Sequence, residues 1–397
     1  MKVLFVCPFV PWPPDDGGRI RTSNLVIELA QRFDLELFLI APETGVPDRE
    51  LAQLRERVRG GCVRCFQRSA PSTSQRFTSA KVERWFASSD LRRALVERLS
   101  KGDVDLVHLD ELLLARLLPR DIGVATVLHH HKLDVEFAQA TLDREALNPR
   151  RRLEAQLDLR KLRSLEREAA VRHRFQITCS EGDAALLRER HPDLEIAAVP
   201  SGYDPNYFVP DPGAPRQPGT LLYLGHMGYA PNVDGVRWFA TAVLPLVLGA
   251  HPDARLRIVG REPAAEVRAL AGDAIEVVGE VSDVRPYLAT AAALIVPLRI
   301  GGGTRLKIVE GLAMGTPTVA THIGAQGLGL EDRRELRLAD EPTAFAEALI
   351  ELLQDPSEAA RLGERGRLAV ERQFPWSALA GAVAEHWLRA ADRTKPE

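Results

Sequence analysis

Apolar residues fall into two alternating rhythms along the chain, short unbroken runs and runs spaced at three and four residues. The short runs at Val3–Cys7, Leu35–Ile40, Leu106–His108, Val124–Leu128, Gln176–Cys179 and Ile196–Val199 predict strands. Between them, Arg21–Arg32 carries Leu25, Ile27, Leu29 and Ala30 at helical spacing, and Leu51–Arg57 and Lys81–Leu99, interrupted near Ser88, predict further helices. The alternation then starts again. Leu221–Leu224, Leu256–Val259, Ile275–Val278, Ala293–Leu298 and Thr318–Ala320 read as strands, and Val236–Val247 and Ala264–Ala271 as helices. Three helices close the chain, Thr343–Gln354, Glu358–Gln373 and, after Pro375, Trp376–Arg393.

Strands alternating with helices build a parallel sheet covered on both faces. Two such series predict an α/β chain of two doubly wound, Rossmann-like domains facing a cleft. Pro200–Gly219 holds six prolines and three glycines and reads as the linker between them. The expected organisation is an N-terminal domain over 1–204, a C-terminal domain over 205–375, and a final helical segment over 376–397. Ligands of such sheets bind at the carboxyl ends of the strands.

A length of 397 residues suits two domains. The net charge of −3 gives no electrostatic footprint for nucleic acid. The hydrophobic opening Met1–Val10 is cut by Pro8 and followed by Pro11, Pro13 and Pro14, with only Lys2 ahead of it. It is too short to span a membrane and reads as a first strand, hence an expectation of a cytoplasmic protein. Cys7 and Cys179 sit in strand runs as small core residues. Cys62 and Cys65 form a C-x-x-C with no second pair to complete a zinc site, so packing is the expectation.

The most informative stretch is Leu294–Gly329. An apolar strand leads into Gly301, Gly302 and Gly303, then Thr304 and a helix carrying Lys307 and Glu310. Glycines let a ligand approach the backbone, and a helix N-terminus offers free N–H groups and partial positive charge, which suits a diphosphate. Thr304, Lys307 and Glu310 are three apart and share a helix face. Lys307 would neutralise phosphate and Glu310 would accept from ribose hydroxyls, with Arg305 as a second cationic contact. Gly17 and Gly18, in PPDDGGRIR after the first strand, form either a second phosphate-touching loop or an ordinary turn. Neither G-x-G-x-x-G nor G-x-x-x-x-G-K-[ST] is present, which disfavours nicotinamide enzymes and P-loop hydrolases. His129, His130 and His131 end a strand; one of them, or His108, is a candidate catalytic histidine. Asp103 and Asp105 lie at a strand entry and are not read as a metal site. Asn148–Arg174 carries nine Arg/Lys against four Asp/Glu and reads as a solvated helix, with an anionic membrane surface as the alternative.

Together, PLRIGGGTRLKIVEGLAMGTPTVATHIGAQGL, LYLGHMGYAPNVDGVRWF, RIVGREP, VVGEVSDVRPYL and VPSGYDPNYF resemble the nucleotide-sugar glycosyltransferases of the GT-B fold, family 4 in particular. The resemblance implies a metal-independent, retaining transfer from a nucleotide diphosphate sugar, with no resident cofactor and a glycan, lipid-linked or small-molecule acceptor. By position it implies that Glu310 holds the donor ribose. Lys307 and the N–H groups of Gly302, Gly303 and Thr304 stabilise the leaving diphosphate. Gly17 and Gly18 approach the same phosphates, Gly279 and Val281 lie beside the base with Glu280, and His131 stands near the transferred sugar. Gly225, which ends the first strand of the second domain, is expected among the donor-binding residues. Two positions depart from the family pattern. Gly302 stands where the first glutamate of the Glu-x7-Glu motif is expected, and His226 follows Gly225 where an arginine is usual. The resemblance also implies that the last helix crosses back to the N-terminal domain. A nucleotide-sugar epimerase of the same fold, a non-catalytic nucleotide-sugar binder and a membrane-peripheral protein are the alternatives.

Overall fold

The computed structural model describes residues 1–59, 61–72, 75, 78–119, 122–144, 148–211 and 213–394. The chain divides into two compact units, Met1–Pro200 together with Trp376–Glu397, and Ser201–Pro375.

The first unit is built on seven strands: β1 (Lys2–Cys7), β2 (Asp34–Ile40), β3 (Cys62–Phe66), β4 (Leu106–Leu109), β5 (Ala125–His130), β6 (Phe175–Thr178) and β7 (Glu195–Ala198). Every pairing is parallel and the order is β3-β2-β1-β4-β5-β6-β7. The apolar runs become strands because helices bury both of their faces; β1 and β4 are buried almost throughout. The order reverses direction between β1 and β4, which opens a crevice at their carboxyl ends. The helix Gly17–Leu29 begins four residues ahead of its expected start. Asp16 caps it by accepting from Arg19 N–H, so Gly17 and Gly18 are its first two residues rather than a turn. The last helix, Trp376–Thr394, packs against Gly17–Leu29 and β5. Its Trp387 is fully buried against Phe5, Phe33 and His108.

Some elements escape the periodicity reading. The helices Asp134–Arg144 and Glu181–Arg190 are absent from the expected elements, although Val135, Ala138 and Leu142 of the first make a short core-facing stripe. The second buries only Asp183, Ala184 and Leu187 and owes its start to the Ser180 cap. The edge strand β3 alternates rather than running apolar. It places Cys62 and Cys65, three apart, on opposite faces, so they do not form a joint site.

The second unit has β8 (Gln217–Leu224), β9 (Arg255–Val259), β10 (Ile275–Gly279), β11 (Ala291–Val296), β12 (Thr318–Ala320) and β13 (Arg337–Leu338), in parallel order β10-β9-β8-β11-β12-β13. Leu221 and Tyr223 of β8 enter one core and Leu222 and Leu224 the other, as a sheet sandwiched between helices requires. Two expectations are corrected at the linker. The strand β8 starts at Gln217, inside the proline-rich stretch. The boundary falls after Pro200 rather than after Asp204, because Tyr203 is buried in the second core and its N–H bonds Phe374 O. The helical run Ala230–Ala250 is long and apolar enough to cross a membrane by length and composition. It spends Val236, Phe239, Val243, Leu244 and Val247 on the core of this unit.

Candidate functional site

In the second unit the strand order reverses between β8 and β11, so the loops after Leu224 and Val296 form the ligand edge. The first turns at Gly225, the second at Gly301–Gly303. Gly303 has φ of 71°, a conformation that favours glycine. The helix Leu306–Ala313 comes next, with Arg305 at its N-cap position and no side-chain cap; Ile308 N–H bonds Arg305 O, and the N–H groups of Leu306 and Lys307 ahead of it carry no side-chain cap. Thr304 Oγ1 accepts from Ser201 N–H at 2.6 Å, which ties the loop to the start of the unit.

Lys307 and Glu310 project from this helix half-buried. Lys307 Nζ donates to Asn232 Oδ1 at 3.0 Å and stands 4.6 Å over the Tyr223 ring. Burial, with Arg305 nearby, pushes the ammonium down to about 7 against the pull of Glu310. Burial pushes the Glu310 carboxyl up to about 7, opposed by Lys307. Gly225 is required by space: a Cβ there would lie 2.8 Å from Lys307 Nζ and 2.9 Å from Asn232 Nδ2. Gly260 is required too, since its Cβ would collide with Gly225 O. Arg305 turns back on its own loop, its guanidinium donating to the carbonyls of Gly302 and Gly303. Gly279 has φ of 85° at the end of β10, with Glu280 and Val281 after it. His226 pairs with Glu262 at 2.9 Å.

In the first unit the corresponding edge is lined by the segments that leave the carboxyl ends of β1, β4 and β5. Asp110, just after β4, is fully buried. Its Oδ2 accepts from Thr22 Oγ1 at 2.6 Å, and His131 Nε2 bonds its Oδ1 at 3.1 Å. His129 Nδ1 and His108 Nε2 stand 3.2 and 3.5 Å from the same oxygen. Burial alone would raise Asp110, but His131 and the two other imidazoles outweigh it and hold the carboxyl well below the usual range. Burial would lower His131; the Asp110 carboxylate reverses this and lifts it. His129 and His108 are held down, burial being the main cause in both.

Of the three adjacent histidines the structure separates the roles. The His129 side chain is fully buried, His130 is buried against Gln176, and His131 keeps 11% of its side chain exposed. His131 Nδ1 lies 3.9 Å from where a Cβ on Gly18 would stand, so the ring faces the glycines that open the first helix.

His108, Asp110 and His129 lie close enough to hold a cation. The donors around them decide otherwise. Trp387 Nε1–H donates to His108 Nδ1, and Arg21 Nη2 faces His129 Nε2 at 2.9 Å. Each neutral ring therefore carries its proton on the nitrogen facing Asp110, where a metal would need a lone pair. Asp103 binds Arg98 and Lys2, and Asp105 the Lys2 N–H, so that pair serves the strand entry. Sequence reasoning missed Asn232, Asp110 and Arg21, because nothing local marks a side chain whose partner lies on another element of the fold.

Comparison with known proteins decides the second unit. The sequence profile described as glycosyl transferases group 1 matches residues 218–355. Residues 218–355 form a glycosyltransferase group 1 domain. A phosphatidyl-myo-inositol mannosyltransferase of Mycolicibacterium smegmatis is 31% identical over 199 residues, 48% of this chain and 50% of that protein. A glycogen synthase of Mycobacterium tuberculosis is 29% identical over 232 residues, 54% of each. The chain thus spans about half the length of the curated relatives it matches. Among solved structures, sucrose-phosphate synthase from Thermosynechococcus elongatus aligns with a TM-score of 0.74 at 19% identity over 98% of both chains. WaaG, a glycosyltransferase involved in lipopolysaccharide biosynthesis, aligns with a TM-score of 0.66 at 15% identity over 99% of this chain and 100% of its own. The fold is that of the GT-B glycosyltransferases, and the group 1 domain carries the glycine loop, Lys307 and Glu310 described above.

Proposed function

We propose that the chain transfers a glycosyl group from a nucleotide diphosphate sugar to a glycan or glycolipid acceptor, without a resident metal. The observation that carries this is the convergence of Lys307 Nζ, the Gly301–Gly303 loop and an uncapped helix N-terminus at the switch point of a glycosyltransferase group 1 domain.

The chemistry is dictated by the charges. A departing nucleoside diphosphate gains negative charge as the sugar–oxygen bond breaks. Lys307 and the N–H groups at the start of Leu306–Ala313 meet that charge with fixed donors, which is where transition-state stabilisation is largest. Glu310 accepts from the ribose hydroxyls, and the turn at Gly279–Val281 borders the base. Arg305 keeps the loop in shape. Gly302 leaves no carboxylate at its position, so backbone N–H groups take over the orientation of the donor sugar. In the first unit by itself, the imidazole of His131 is suited to a sugar and the N–H groups of Gly17 and Gly18 beside it are suited to phosphate. Transfer is expected to retain the anomeric configuration.

A lipid acceptor at a cytoplasmic membrane face is supported by two observations. One relative is named for phosphatidyl-myo-inositol. The helix Pro149–Arg172 also exposes Leu153, Leu157 and Val171 among arginines, and Trp85 is 67% exposed at the end of Lys81–Arg84, whose Lys81 bonds Asp158 of that helix.

The test is to offer UDP-, GDP-, ADP-, dTDP- and CDP-sugars in chelator with phosphatidylinositol or oligosaccharide acceptors, and to follow nucleoside diphosphate release and label transfer. Acceptor-dependent release is expected. An isomerised donor without acceptor would replace transfer by epimerisation, and binding without release would leave a nucleotide-sugar binder.

A further inference from the structure

Arg21 is only 2% exposed, an unusual position for a guanidinium. It sits one turn into the first helix. Nη1 donates to Pro200 O at 2.7 Å, and Nη2 donates to Val199 O at 2.6 Å. Those are the last two residues before the chain leaves the first unit. The same Nη2 faces His129 Nε2 at 2.9 Å. A donor there fixes the His129 proton on Nδ1, 3.2 Å from Asp110 Oδ1. That oxygen also bonds His131 Nε2, while Thr22, next to Arg21 in sequence, holds the other carboxylate oxygen.

We propose that Arg21 is a positioning residue for His131. It clamps the segment that follows β7 at the exit of the first unit and, through His129 and Asp110, holds the His131 ring in place. The role rests on the reading of His131 as a residue serving the transferred sugar.

The groups that face His131 fix the direction of the effect. Asp110 and Glu111, both after β4, raise its proton affinity, and Arg21 from the first helix lowers it. Lys132 and Asp134 act on Glu111, which burial pushes up to about 7, and Cys7 at the end of β1 lies in the field of Asp110. Removing Arg21 deletes a positive charge that opposes protonation of His131 and loosens the hold on His129, so the His131 titration moves to higher pH.

The experiment uses the full chain with ring-labelled histidine, the His131 resonance being assigned with His131→Asn. Arg21→Met should raise the His131 midpoint, because a positive charge that opposes its protonation is lost. The limb of the pH–rate profile governed by His131 should move with it, kcat should fall about tenfold, and donor KM should change less than twofold. Arg21→Lys, which keeps the charge and loses the fork, should give a smaller shift of the same sign and tests the proposal should the methionine variant not fold. An unchanged His131 titration in a folded Arg21→Met or Arg21→Lys protein overturns it. A titration that moves in a protein releasing no diphosphate from any donor would sink the transfer reading and leave the network. An active enzyme whose His131 ignores Arg21 would sink the network alone.

Discussion

Lys307 donates to Asn232 Oδ1 across 3.0 Å, joining the helix after the glycine loop to the helix after Gly225. The two flanks of the β8–β11 crevice are thereby held together by a cation expected to meet phosphate. An amide adds no opposing charge, so below about pH 7 the ammonium is available to a ligand.

Donor binding should have a bell-shaped pH dependence centred near 7. Lys307 titrates at about 7 in the free protein, and a bound diphosphate raises it, so affinity is level below 7 and weakens above. Glu310 also titrates at about 7, and ribose hydroxyls favour its carboxylate, so affinity weakens as the pH falls below 7. Calorimetry from pH 5.5 to 9 should show this. Lys307→Met should remove the alkaline limb and Glu310→Gln the acid limb. A flat wild-type profile would contradict both assignments.

Gly225→Ala should displace Lys307. The new Cβ would stand 2.8 Å from its Nζ and 2.9 Å from Asn232 Nδ2. Crowding of this kind costs about 1–3 kcal/mol. Nucleotide affinity should fall at least tenfold, whereas an alanine at exposed Gly249, which meets nothing within 4 Å, should leave it unchanged.

Trp387 anchors the last helix in the first unit, fully buried and donating to His108 Nδ1. Trp387→Ala should lower stability by about 3–5 kcal/mol in chemical denaturation, the usual cost of emptying a large buried aromatic site. Trp387→Phe keeps most of the volume and isolates the loss of the N–H donor, about 1 kcal/mol. Equal melts for all three proteins would refute the anchoring role.

If the acceptor is a membrane lipid, the chain should sediment with vesicles containing anionic phospholipid and release them as salt rises. Replacing Trp85 and Leu153 by glutamate should abolish sedimentation without moving the melt, since both side chains are exposed. Sedimentation unaffected by these changes would place the lipid contact elsewhere.

Much of this architecture is legible from apolar runs alone. Strands buried on both faces read as unbroken hydrophobic stretches, and β12 and the glycine loop fall where the pattern puts them. Elements with one wet face or a weak stripe are harder to find, as β3 and Glu181–Arg190 illustrate. Lys307 and Glu310 could be named from a local motif. The Asp110 network could not, because Arg21, His129 and Asp110 meet only when β1, β4 and β5 lie side by side. The choice among His129, His130 and His131 likewise needs the strand register, which buries the first two and leaves the third at the edge.

The central claim is a metal-free nucleoside diphosphate site in the second unit, and a thermal-shift panel of UDP, GDP, ADP, dTDP and CDP in excess chelator tests it most directly. A ligand at about 100 times its Kd stabilises the folded state by about 2.7 kcal/mol, a rise of a few degrees for a protein of this size. One nucleotide should raise the melt of the wild-type chain and fail to raise that of Lys307→Met. A panel that stays flat in chelator and responds only when a divalent metal is added would contradict the account.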